Sequence, residues 1–421
     1  MFPRNLAPRL LEALKDTPAV FLAGGRQSGK TTLARALSEA GFPARYLSLD
    51  DPTARAAAER DPAAFLADLA GPTVLDEVQQ APSIFPLLRK EIDSDRRPGR
   101  LLLTGSAQIL MLPRLAEVLV GRMEVLRLWP LSQGEVEGVR EGFIDAVFAP
   151  SLPPTPIGAG DRGDALARAV RGGYPEVLER KAARRSAWFR SFVNLLLQRD
   201  VRELANIERL SALPRLLELL AARASTLLNL AEVSRSAGIP QTSLKRYLAL
   251  LEGIFLVTRL PAWAANPSKR LVRSPKLCFV DTGLLAQLAG LGPDTLRARP
   301  DSAGPLLENF VVAELTKQVG WSHRACKLHH FRTTAGREVD VVLEDDRRRL
   351  VGVEVKSSTS VSQADFSGLE ALRDAAPREF HRGVVLYTGM ERVAFGPDLH
   401  ALPIEALWRM GAERVRRPVP A

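Results

Sequence analysis

The chain has 421 residues, 46% of them hydrophobic and 25% charged, enough apolar material for several cores, which excludes a wholly disordered or low-complexity protein. At roughly 150 residues per domain, this length predicts about three domains. Lysine plus arginine number 58 against 48 for aspartate plus glutamate, a formal charge of +10; such a balance favours polyanionic partners, nucleic acid first.

No run approaches the ~18 consecutive apolar residues of a membrane span. Met1 to Lys15 lacks the apolar stretch and small-residue cleavage site of a secretory leader. The two cysteines, Cys278 and Cys326, are far apart, so no disulfide framework is expected. These features predict a cytoplasmic protein with no membrane partner.

In chain order, Thr17 to Ala23 reads as a short apolar strand that stops at paired glycines, and a helical stretch follows from Lys30 with Leu33, Ala34 and Leu37 on one face. Between them stands Gly24-Gly25-Arg26-Gln27-Ser28-Gly29-Lys30-Thr31, followed by Thr32, a full GxxxxGK[ST] loop. Its glycines let backbone amides wrap phosphates at a helix N-terminus. Lys30 is placed to reach the β- and γ-phosphates of ATP and Thr31 to ligate Mg²⁺. The next buried strand, Thr73-Val74-Leu75, ends in Asp76-Glu77, with Asp76 the second Mg²⁺ ligand and Glu77 the residue that polarises water. Leu101-Leu102-Leu103 ends in Thr104-Gly105-Ser106, a γ-phosphate sensor through Ser106 or Thr104. Arg122, after Gly121, is a candidate arginine finger acting across a subunit boundary. Strands alternating with helices predict a parallel α/β sheet.

Residues 149–163, rich in Pro and Gly, read as a mobile linker. The pattern is helical from Asp164 to about Leu228. From Leu230 to Val280, two helices joined by Ala237-Gly238-Ile239-Pro240, then two strands flanking a basic segment, resemble a winged helix. After Pro300 come a helix over Leu306–Val319, a hairpin from His330 to Lys356, and αβ segments. The cluster His323 to His330 lacks the second cysteine pair of a zinc site.

The motif order resembles the bacterial and archaeal AAA-type ATPases that join a P-loop module to a winged helix and a C-terminal restriction-endonuclease-like domain. The resemblance is carried by Gly25 to Thr32, Leu75-Asp76-Glu77-Val78-Gln79, Leu103 to Ser106 and Gly121-Arg122. It continues in Leu128-Trp129-Pro130-Leu131-Ser132-Gln133-Gly134-Glu135 and Gly172-Gly173-Tyr174-Pro175-Glu176. It implies a helical lid near the nucleotide base, with Gly173 and Pro175 in it, and an α/β multidomain fold. The boundaries expected are an ATPase core over 1–148, a linker over 149–163, a lid over 164–228, a winged helix over 229–290 and a nuclease-like domain over 300–421.

In the last of these, Arg337-Glu338-Val339-Asp340 opens one strand and Val353-Glu354-Val355-Lys356 closes the next. A turn centred on Arg347 sets Asp340 across from Glu354, and two facing carboxylates invite Mg²⁺ or Mn²⁺. Glu308, on the preceding helix, is the further ligand and Lys356 the group that orients or deprotonates water. The spacing resembles the PD-(D/E)XK nuclease signature.

Between Leu216 and Val280 nine basic residues stand against three acidic ones. Lys245 and Arg246 fall on the second helix, Lys269, Arg270 and Arg273 in the wing, a layout suited to gripping the phosphates of duplex or branched DNA. The whole predicts an ATP-hydrolysing, DNA-binding homo-oligomer with shared ATP sites and a Mg²⁺-dependent nuclease-like domain. The alternative is a nucleotide-switch protein whose nuclease-like domain serves only binding or assembly.

Overall fold

Five short segments of the first third pair in parallel in a computed structural model that describes residues 2–69, 71–106, 121–154, 160–204, 212–270 and 273–414. They are β1 (Ala19–Ala23), β2 (Arg45–Ser48), β3 (Thr73–Asp76), β4 (Leu101–Gly105) and β5 (Met123–Arg127), in the order β2-β3-β4-β1-β5. β1, β3 and β4 are buried along their whole length, as a parallel sheet covered on both faces requires. Leu33, Ala34 and Leu37 of the helix Lys30–Ala40 cover one face, together with Leu10 and Leu14 of the helix Ala7–Asp16. Phe85, Leu88 and Ile92 of the helix Phe85–Ser94 cover the other. Ala23 pairs with Gly105 and Leu75 with Leu103, so the carboxyl ends of β1, β3 and β4 share one edge, where open α/β sheets bind ligands.

After β5 the chain turns through a helix over Gln133–Glu137, held by a Ser132/Glu135 capping box, into β6 (Val139–Arg140) and the helix Phe143–Val147. The expected mobile linker begins differently. The Arg382 guanidinium donates to the carbonyls of Val147, Ala149 and Pro150, and Arg392 to those of Leu152 and Pro153. Residues 149–153 are therefore fixed along the C-terminal domain. Residues 155–159 lie outside the described residues, as do 107–120, 205–211 and 415–421.

Helices Arg162–Arg171, Pro175–Leu178, Ala182–Leu204 and Leu213–Ala221 follow. Two further helices, Leu230–Ala237 and Gln241–Gly253, lead into the antiparallel pair β7 (Val257–Leu260) and β8 (Lys276–Phe279). The helix Ala303–Gln318 precedes a mixed six-stranded sheet of β9 (Cys326–Arg332), β10 (Glu338–Asp345), β11 (Leu350–Lys356), β12 (Phe380–Tyr387), β13 (Val393–Ala394) and β14 (Leu399–Pro403), in the order β13-β14-β12-β11-β10-β9. One apolar core runs from Phe189 and Leu217 through Leu251 and Phe279 to Phe310 and Val353, so the helical units and this sheet do not pack as independent beads. Finally β15 (Glu413–Arg414) returns to pair antiparallel with β6, tying the end of the second sheet domain to the first. No helix among the described residues is long and apolar enough to cross a membrane.

Candidate functional site

The loop between β1 and the helix Lys30–Ala40 is shaped by two glycines. A Cβ on Gly24 would lie 2.3 Å from the Leu128 carbonyl oxygen, and Gly29 takes a φ of +94° as it opens the helix, a conformation that side chains disfavour. Lys30 is buried, with Nζ donating to the Gly25 carbonyl at 3.2 Å and lying 3.9 Å from Glu77 Oε1. Gly25, Arg26, Gln27 and Ser28 complete the loop, and Thr32 lies in the first turn of the helix. The Ser28 hydroxyl is buried without a hydrogen-bond partner, a polar atom of the kind a bound phosphate satisfies.

Asp76 stands at the tip of β3. Its Oδ2 accepts from Thr31 Oγ1 at 2.9 Å and from the Tyr46 hydroxyl at 2.7 Å, and its Oδ1 from Thr104 Oγ1. Burial and the Asp76 charge push the Tyr46 phenol up to about 12, so Tyr46 remains a donor to Asp76. Thr104 Oγ1 also accepts from the backbone N–H of Glu77, which sits in the left-handed region with φ +56°. Gln79 Nε2 donates to Glu77 Oε2 and, at 2.9 Å, to Ser106 Oγ. The three strand tips are therefore wired together: Asp76 to Thr31 and Thr104, Glu77 to Gln79, and Gln79 to Ser106.

A cavity of about 830 Å³ opens over this loop, walled by Lys30, Thr31, Glu77, Pro175 and the N-terminal residues Phe2 and Arg4, a size that admits a nucleotide. Gly173 stands behind it: its N–H donates to Asp281 and its carbonyl accepts from the Leu131 N–H. Arg4 carries no motif and is missed by sequence reasoning. Its guanidinium donates to the carbonyls of Ser28 at 2.7 Å and Trp129 at 2.6 Å and to Glu135 Oε1 at 3.1 Å, clamping the phosphate loop to the Leu128–Glu135 segment. Tyr46 is likewise missed, since a tyrosine on a short strand has no distinguishing pattern. Glu413 and Arg414 also reach the cavity wall.

Arg122 precedes β5 at the end where Met123 pairs with Ala19, while the phosphate loop follows Ala23 at the opposite end. It is thus about four strand residues, ~13 Å, from its own chain's loop. Its guanidinium grips Asp93 at 2.8 and 3.0 Å, and Arg122 together with Arg96 holds the Asp93 carboxyl down at about 2. It does not reach the phosphate loop of its own chain.

In the C-terminal domain the β10–β11 ladder ends at Val341 paired with Val353, beside Asp340 and Glu354. The expected metal ligands meet a different cation. Lys276, one of the nine basic residues between Leu216 and Val280, is buried at 2% side-chain exposure. Its Nζ lies 2.6 Å from Glu308 Oε1 and 3.2 Å from Asp340 Oδ1, and is paired with Glu338 as well. Among the described residues no group of three or more His, Cys, Asp or Glu side chains is arranged to hold a metal ion. The second Asp340 oxygen accepts from the Val355 N–H. Glu354 instead pairs with Lys356 at 3.0 Å. Burial and the Asp340 charge push the Glu354 carboxyl up to about 8.

The basic layer is also partly spent inside the molecule. Arg270 forms a two-pronged ion pair with Glu344, and Arg273 donates to the Arg332 carbonyl, because the β7–β8 connection packs on β9 and β10. Arg270 is therefore not a free phosphate grip, whereas Arg273 stays exposed with, among the described residues, a single bond to a carbonyl. Lys245 and Arg246 are exposed on the helix Gln241–Gly253. The side chain of Lys269 lies outside the described residues.

An AAA domain model matches residues 16–137, and models described as domain of unknown function (DUF8612) and domain of unknown function (DUF4143) match 163–295 and 303–407. The chain is 30% identical over 412 residues to uncharacterized protein Rv2008c of Mycobacterium tuberculosis, and to the same extent to uncharacterized protein Mb2031c of Mycobacterium bovis, covering 97% of this chain and 85% of each relative. Among solved structures, the Walker-type ATPase PABY2304 of Pyrococcus abyssi is similar at 15% identity and a TM-score of 0.41, over 68% of this chain and 96% of that one. The first third of the chain is thus the AAA domain of a P-loop ATPase, and the chain as a whole belongs to the family of these two mycobacterial proteins.

Proposed function

We propose that the protein couples ATP turnover to work on DNA, with the Leu230–Phe279 unit acting as a winged helix and the C-terminal domain as a nuclease-like module. The observation that carries the ATP half is the 830 Å³ cavity over Lys30, with Glu77 beside it and Asp76 bonded to Thr31. Lys30 binds the β- and γ-phosphates, Glu77 polarises the attacking water, and Ser106, through Gln79, reports on the γ-phosphate to Glu77. The hard oxygens of Thr31 and Asp76 suit Mg²⁺, which when bound neutralises phosphate charge. Pro175, with Gly173 behind it, borders the base end.

DNA is the proposed partner because Lys245 and Arg246 remain exposed on one helix, next to a small pocket of about 180 Å³ walled by Lys245, Arg259 and Arg273. The reading includes a cytoplasmic homo-oligomer in which Arg122 leaves Asp93 to serve a neighbour's ATP. A second reading, a nucleotide switch whose nuclease-like domain binds without cutting, is favoured by the Lys276 ion pairs at the carboxylate centre. ATP turnover of the full chain is measured with and without single-stranded, duplex and branched DNA. The first reading expects stimulation that Lys30→Ala abolishes and that Glu77→Gln slows by about 10²–10³-fold. Slow, DNA-indifferent turnover favours the second.

A further inference from the structure

We infer that the ammonium group of Lys276 is the resident cation of the Glu308–Glu338–Asp340 centre, standing in for a divalent metal and closing that centre to one. The inference rests on reading the C-terminal domain as nuclease-like, since that reading makes these carboxylates a cation site at all. Three carboxylates brought together repel unless a cation or proton sits between them. Lysine supplies a single positive charge and three N–H donors, and here it meets three carboxylates, from the helix Ala303–Gln318 and from two positions of β10.

The lysine is held from behind. It closes the β7–β8 pair opposite Leu260 and bridges to Leu227, so its backbone is fixed on both sides, and its side chain is buried with 2% exposure. Burial alone would favour a neutral amine, but Glu308, Asp340 and Glu338 outweigh it and hold the ammonium protonated. A hard cation such as Mg²⁺ takes six oxygen ligands, waters among them, in an octahedron at about 2.0–2.1 Å, and Mn²⁺ favours the same geometry. Two of the oxygens it would use, Glu308 Oε1 and Asp340 Oδ1, already bond Nζ, and the other Asp340 oxygen accepts from Val355 N–H. Lys356, the group placed to activate water, is left paired with Glu354 and close to Asp365. The unit that carries β8 therefore keeps the carboxylate centre in a metal-free, non-cutting state.

The test uses the full chain without nucleotide, with Mn²⁺ as probe, free ion being counted by its paramagnetic signal and unfolding followed by heat. Wild-type protein and Asp340→Asn should take up the same small amount of Mn²⁺ and keep the same unfolding midpoint as Mn²⁺ is raised. Lys276→Met should be less stable in chelator, gain a Mn²⁺ bound about tenfold or more tightly than any in wild type, and recover stability with it. Adding Asp340→Asn to Lys276→Met should abolish that gain. Wild-type uptake that Asp340→Asn removes would overturn the inference while leaving the nuclease-like reading intact, and this arm holds even if Lys276→Met does not fold. Folded Lys276→Met with no uptake would overturn both.

Discussion

Replacing Arg4 by alanine tests whether the N-terminal segment governs the phosphate loop. The Arg4 side chain is 8% exposed and Glu135 1%, so the pair is buried. Breaking a buried ion pair by removing one partner costs ~3–5 kcal/mol. Glu135 keeps the N–H groups of Ser132 and Asn5, which places the expected loss at the low end, about 3 kcal/mol. Within that total, the bond from Nη1 to the Ser28 carbonyl acts on the loop itself. A hydrogen bond from a charged donor contributes ~1.5–3 kcal/mol; losing it should therefore weaken ATP binding by about tenfold or more. Arg4→Lys should recover only part of this, because an ammonium cannot hold three acceptors in the fixed fork of a guanidinium. The assays are a fluorescent ATP-analogue titration and the heat-unfolding midpoint of the full chain. Unchanged affinity and midpoint in Arg4→Ala would refute the clamp.

Glu141 is buried beside Glu135 and Glu314, and burial first, those two charges second, push its carboxyl up to about 8. Folded protein thus holds a proton that the unfolded chain loses near pH 4.5, so this group's contribution is full below that pH and fades as pH rises towards 8, with a slope of up to about 1.4 kcal/mol per pH unit. Glu141→Gln should make the fall in unfolding midpoint between pH 6 and 8 shallower, leaving the part that the raised Glu354 carboxyl contributes, and an unchanged slope would assign it elsewhere. For the DNA surface, Lys245→Glu with Arg246→Glu should weaken duplex binding without lowering the unfolding midpoint and make the log–log salt slope shallower by about 1–2. Equal affinity would move the DNA surface off this helix.

The phosphate site was legible in the sequence because its determinants are local. A buried strand, a glycine at each end of the loop, a lysine and a threonine lie within the thirteen residues from Ala19 to Thr31, and the Asp76-Glu77 pair ends its own strand. The hairpin register was also readable, since a turn centred on Arg347 leaves only one way for Asp340 to face Glu354. Lys276 was not readable. A charge count only adds it to the basic excess of that stretch, and only the pairing of β8 beside the helix Ala303–Gln318 turns it inward to Glu308 and Asp340. Arg270 is taken up for the same reason, because its partner Glu344 lies 74 residues away. Arg4 has no local pattern at all, and its role exists only once three distant carbonyl and carboxylate groups converge on it.

One helix joins the two candidate sites. At its carboxyl end, Lys317 Nζ donates to the Leu131 carbonyl at 3.0 Å and Glu314 accepts from the Gln133 N–H at 2.8 Å, in the segment that Arg4 ties to the phosphate loop. Nearer its start, Glu308 takes the Lys276 ammonium. Six residues at 1.5 Å rise separate Glu308 from Glu314, about 9 Å along a rigid rod. Contiguity alone does not establish coupling, but it fixes what coupling would require. A shift of the Leu131–Gln133 segment must carry the helix with it or break both bonds, and a helix that moves must carry Glu308 against a lysine anchored in β8. Coupling of this kind would load the Lys276 cage first, and loosening that cage with Lys276→Met would then change ATP turnover.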